Sequence, residues 1–155
     1  MLEDNKMQKI RIARWEVEHD PDATRAAYGK VTLGGADKCE CPDCQYFRTH
    51  REKIYSEPLR TLLNALGIDY RKEVETTCVD LGGGAALYGS WFHFVGSILE
   101  GRDGWRLLKE NVRTADFEPF GDAEVGITSN CALVPVVFPR AGILQFDFSV
   151  KVLRS

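Results

Sequence analysis

Between positions 144 and 152, apolar and polar residues alternate without a break. Leu144, Phe146, Phe148, Val150 and Val152 interleave with Gln145, Asp147, Ser149 and Lys151. Successive side chains on a strand point to opposite faces, so this is the period of a strand with one buried face and one wet face. Such a strand is stable only inside a sheet whose apolar side is covered. A second segment, Leu87 to Leu99, is apolar on both faces and predicts a central strand covered on both sides. The fold must be built around these two segments.

The rest of the chain supplies the cover. Leu59, Leu62, Leu63 and Leu66 follow the i, i+3, i+4, i+7 spacing of an amphipathic helix. Pro58 opens that helix, Gly67 stands at its stop, and Ile68 supplies the apolar contact that follows. Pro42 opens another helix through about Tyr55, with Phe47, Arg51 and Ile54 on its inner face. Asp20-Pro21 reads as an N-cap and first helical residue, with a short helix over Ala23 to Tyr28 stopped by Gly29. Ile10 to Val17 reads as a strand whose apolar phase changes near Ala13, as at a bulge or where both faces are buried. Glu73 to Val79 and Val125 to Ser129 are further strands, and Gly82-Gly83-Gly84 is a turn. Trp105 to Val112 fits either helix or strand, and Cys131 to Gly142, broken by Pro135 and Pro139, is a loop. Helices gather early and strands late. The expected class is α+β: one antiparallel sheet with two to three helices on one face. With 155 residues, the chain is expected to form one domain over residues 1–155, residues 1–8 being a loose tail.

Charge narrows the partners. Twenty basic against 23 acidic residues give a net charge of −3, without the basic excess that nucleic acid or an acidic membrane attracts. Aromatic residues do not alternate with basic ones along a strand, which argues against RNA binding. The polar start lacks the apolar core of a secretion signal, and no apolar run reaches the length of a membrane span. A cytoplasmic location is therefore expected, with a protein or small molecule as partner.

Three of the five cysteines fall within six positions: Cys39-Glu40-Cys41-Pro42-Asp43-Cys44. In a reducing compartment, such a cluster points to metal or thiol chemistry rather than to disulfide stapling. A Cys-Pro-x-Cys turn aims two sulfurs at one point, and zinc takes four such ligands when its role is structural. Cys39 is a third candidate ligand. His50 lies about 120° around the helix from Cys44 and should point elsewhere. Cys78, Cys131 and His93 would serve only if the fold delivers them. The same residues suit thiol–disulfide exchange, because Cys41 at an N-cap and Cys44 in the first turn meet the positive end of the helix.

Two weaker features complete the inventory. Glu16, Glu18, His19, Asp20 and Asp22 form an acidic cluster around one histidine, capable of holding a divalent cation but more simply a solvated edge and a helix cap. His93, within Trp91-Phe92-His93-Phe94-Val95, reads as a core residue donating a hydrogen bond, or else as a buried general base or ligand in a metal-dependent enzyme.

The cysteine turn, Leu66-Gly67-Ile68-Asp69 and Tyr88-Gly89-Ser90-Trp91-Phe92-His93-Phe94-Val95-Gly96 together resemble a group of small uncharacterised bacterial proteins. The resemblance spans roughly residues 39 to 100. It implies a bacterial cytosolic protein and transfers no catalytic residue. The reading preferred from sequence is a binding or interaction domain with a metal-capable turn at Cys39, Cys41 and Cys44, zinc being the candidate metal. The rivals are a redox enzyme using Cys41 and Cys44, and a metal-dependent enzyme involving His93.

Overall fold

The computed structural model describes residues 7–154. Strands β1 (Gln8–Ile12) and β2 (Trp15–His19) form a hairpin, so the single strand expected over Ile10 to Val17, bulged or doubly buried, does not exist. The chain reverses at Ala13, which takes a left-handed φ of 52°. That reversal accounts for the change of apolar phase: Ile12 and Trp15 are register partners, and both are buried. Residues 1–6 of the expected tail lie outside the described residues, and Gln8 already belongs to β1.

Helix α1 (Pro21–Tyr28) starts where Asp20 accepts a hydrogen bond from the Ala23 N–H at 3.0 Å, and ends at Gly29. The helix expected over residues 42–55 breaks at His50 into α2 (Pro42–Thr49) and a single turn, α3 (Arg51–Ile54). Phe47, Arg51 and Ile54 are all buried, as the spacing predicts. Helix α4 (Glu57–Leu66) is capped by Ser56 and buries Leu59, Leu62, Leu63 and Leu66. It closes on Gly67 at φ 87°, with the Ile68 N–H donating to the Leu63 carbonyl at 2.9 Å, the six-to-one bond of a Schellman stop.

The remaining strands are β3 (Thr76–Gly82), β4 (Ala85–Glu100), β5 (Trp105–Lys109), β6 (Val112–Ala115), β7 (Glu118–Phe120), β8 (Ala123–Thr128) and β9 (Ile143–Leu153). The ambiguous segment Trp105 to Val112 is thus the start of a hairpin, turning at Asn111 with φ 62°. The main sheet is antiparallel, in the order β1-β2-β4-β9-β8-β7, and β3 also pairs with β4. The class is α+β, as expected, with four α-helices among the described residues where two to three were expected.

Strand β4 is the axis. One edge runs along β9 from Ala85 to Val95, and the other is shared by β3 at one end and β2 at the other. In the gap between those two, α1 completes the ladder with side chains. The Tyr28 hydroxyl donates to the His93 carbonyl (3.0 Å) and accepts from the His93 N–H (3.1 Å), and Thr24 Oγ1 accepts from the Val95 N–H (2.9 Å). Backbone groups left unpaired in a buried edge would be costly, and these hydroxyls satisfy them.

The face bearing Ser90, Phe92 and Phe148 packs on the helical layer, where Tyr55 reaches Phe92 and Phe148 with ring centroids 6.1 and 4.8 Å apart. The other face of β9 corrects an expectation. Gln145 and Asp147 are not wet but 4% and 6% exposed. Trp105 and the loop carrying Cys131 and Ala132 fold back over them, so their polarity marks a buried network rather than solvent.

Candidate metal centre

Local geometry brings the thiol turn together. Pro42 is the first residue of α2, where a missing N–H costs nothing. Cys41 then falls at the N-cap in extended conformation, and its sulfur accepts the Cys44 N–H at 3.4 Å. Cys44 sits one turn in, buried, while Cys41 is exposed. Cys39 ends the Ala36–Lys38 3-10 turn and is itself extended (φ −119°, ψ 133°), so its side chain returns to the side of Cys41 two residues on. The three sulfurs lie within 4.8 Å of one another.

Surrounding contacts hold this arrangement. Arg48 donates to the carbonyls of Ala36 (2.5 Å) and Cys39 (2.6 Å), and Gln45 donates to that of Glu40 (2.9 Å). Behind the turn, Glu73 accepts the Ala36 N–H at 2.9 Å and pairs with Arg51 at 2.9 Å, with Glu73 fully enclosed. Arg51 also reaches Asp37 at 3.1 Å. The loop that delivers Cys39 is therefore pinned to α3.

The sulfurs differ electrostatically. The backbone N–H of Cys44, helped by the neighbouring thiols, draws the Cys41 thiol below its ordinary value. Burial, reinforced by the two adjacent sulfurs, pushes Cys44 up to about 12. The Cys41 thiolate thus forms readily while Cys44 resists, until a cation neutralises the accumulating charge. Tetrahedral zinc with Zn–S bonds of about 2.3 Å sets its sulfurs about 3.8 Å apart. No two of the three sulfurs are more than about 1 Å beyond that spacing, so the donor set fits a soft divalent ion.

The other sequence candidates lie elsewhere. His50 stacks on Tyr46 (centroids 3.8 Å apart) and its Nδ1 is 2.9 Å from the Tyr46 carbonyl. Cys131 contacts the Ile143 carbonyl, and Cys78 sits on β3 opposite Tyr88. Among the described residues, no fourth Cys, His, Asp or Glu joins the group. His93 is fully buried, with Nε2 3.0 Å from Gln145 Oε1, and burial lowers its pKa. The acidic cluster has the simpler identity: Glu16 and Glu18 face Arg11 and Lys9 across the β1–β2 hairpin, His19 packs edge-on against Phe94, and Asp20 is the α1 cap. All five cysteines are free thiols.

No family model, no curated protein and no solved structure matches this chain.

Proposed function

We propose that the chain is a small binding domain in which Cys39, Cys41 and Cys44 hold one zinc ion, leaving the fourth coordination position to water or to a ligand from a partner. The observation that carries this reading is the convergence of three sulfurs within 4.8 Å at the mouth of α2. An open fourth position distinguishes zinc that engages other molecules from zinc that only staples a fold. Five free thiols support work in a reducing compartment such as the cytosol. No helix among the described residues is long and apolar enough to cross a membrane.

Elemental analysis of protein purified without chelator tests the reading. One zinc per chain is expected, together with its loss in Cys41→Ser and in Cys44→Ser. Metal-free protein that fails to take up added zinc would refute it.

A second reading draws on the asymmetry of the pair. An exposed, acidified Cys41 beside a buried, reluctant Cys44 is the layout of an attacking and a resolving thiol. Recovery of a reversible Cys41–Cys44 disulfide from metal-free protein would favour thiol–disulfide exchange.

A further inference from the structure

The face of the sheet opposite the helices holds a cleft of about 390 Å³, within the range of small-molecule sites. Trp91 of β4, Trp105 of β5 and Phe117 line it, together with Asn130, Gln145 and Asp147. Trp105 and Phe117 meet at 87° with centroids 5.6 Å apart, forming an aromatic corner. The corner is fixed in place. Trp91 Nε1 donates to the Ala132 carbonyl at 3.2 Å, and Trp105 Nε1 donates to Asp147 Oδ2 at 3.1 Å. Phe117 lies directly over Gly126 of β8, where a side chain would collide with its ring.

Among the described residues, Asp147 is the only ionisable one lining the cleft, and it is 6% exposed. Gln145 Nε2 donates to both its oxygens, at 3.1 and 3.2 Å. With Trp105, these are neutral donors. Among the described residues no Lys, Arg or His forms an ion pair with it. A buried carboxylate without a cation is costly, and one at the base of an aromatic cleft lacks the partner that its surroundings favour. One carboxylate among aromatic rings is too poor in oxygen for a metal ion and repels an anion.

We propose that this cleft binds a small organic ammonium ion, which donates N–H bonds to Asp147 while its carbon atoms pack against Trp91, Trp105 and Phe117. The site is independent of the thiol turn. Burial raises the Asp147 acid to about 6, so the carboxylate is charged at pH 8 and binding weakens as pH falls through that value. Asp103, Cys131 and, through Gln145, His93 are the titratable groups facing it.

Titration of tryptophan fluorescence at pH 8 with n-butylammonium, tetramethylammonium and n-butanol tests the proposal on the full chain. The expected result is saturable quenching by n-butylammonium, a weaker response to tetramethylammonium, which has no N–H to donate, an at least ten-fold weaker response to n-butanol, and at least ten-fold loss of affinity in Asp147→Asn. Phe117→Leu provides a second variant that keeps the carboxylate; it should weaken n-butylammonium binding several-fold. Absence of a saturable response to n-butylammonium, a response matched by n-butanol, or full retention of binding in the variants would overturn the proposal.

Discussion

At the scale of single residues, two groups carry unequal burdens. Cys41 is exposed and acidified by the backbone of α2, whereas Cys44 is buried and driven upward. Thiolates, not thiols, are alkylated. Limited iodoacetamide at pH 7.5 should therefore modify Cys41 well before Cys44, as read by peptide mass spectrometry, and added zinc should protect it; equal labelling of both would contradict the assigned asymmetry. Asp147 behaves in the opposite sense to a surface carboxylate. Its folded pKa of about 6 exceeds the value of about 4 in an unfolded chain. The folded state therefore holds this proton more tightly, and acidification from pH 7 to pH 4 adds stability that is lost again as pH rises. Two pKa units correspond to about 3 kcal/mol at most. Wild type should gain up to that amount over Asp147→Asn across this interval in urea unfolding. The opposite shift of His93 is present in both proteins and largely cancels. A difference that stays flat with pH would mean that the carboxylate is not held as described.

At the scale of elements, α4 is where local chemistry and tertiary packing agree. Leu63 is fully buried, and Leu63→Ala should cost about 2–5 kcal/mol in chemical denaturation. Gly67 follows at φ 87°, where a side chain costs roughly 1–2 kcal/mol and would also run into the Pro21 carbonyl. Gly67→Ala should thus destabilise by more than the conformational cost alone. These features were legible in the sequence because the leucine period, the proline start and the glycine stop occupy contiguous positions; the Ser56 cap was not read there. The N-cap role of Cys41 was legible for the same reason: Pro42 announces it. Other features depended on contacts remote in sequence. Nothing near Ala13 distinguishes a hairpin from a bulge, since both change the apolar phase. Gln145 and Asp147 carry the alternation of a wet face, and only the return of Trp105 and the 131–142 loop buries them. The Arg51–Glu73 pair joins residues 22 positions apart, and the aromatic cleft draws on six separate segments, so neither leaves a local pattern.

At the scale of the whole molecule, the enclosed Arg51–Glu73 pair links the cysteine loop, α3 and the approach to β3. Removing one partner of a buried pair strands the other charge, so Glu73→Ala should cost about 3–5 kcal/mol. Because Glu73 also holds the Ala36 N–H, the same variant should loosen zinc where binding is otherwise intact, measurable by competition with a chelator. Retained stability would show that the pair is dispensable. The sheet order carries a different consequence. Strand β9, late in the sequence, lies between β4 and β8. A chain emerging from the ribosome has made β4 and β8 before the strand that must separate them exists. Until residues 143–153 arrive, the β4 edge from Ala85 to Val95 has no partner there, and hydrophobic strand edges in nascent chains invite aggregation. The architecture therefore sets an order of assembly: the helices and the β1–β2 hairpin can form during synthesis, but the sheet closes only after translation has passed its last strand.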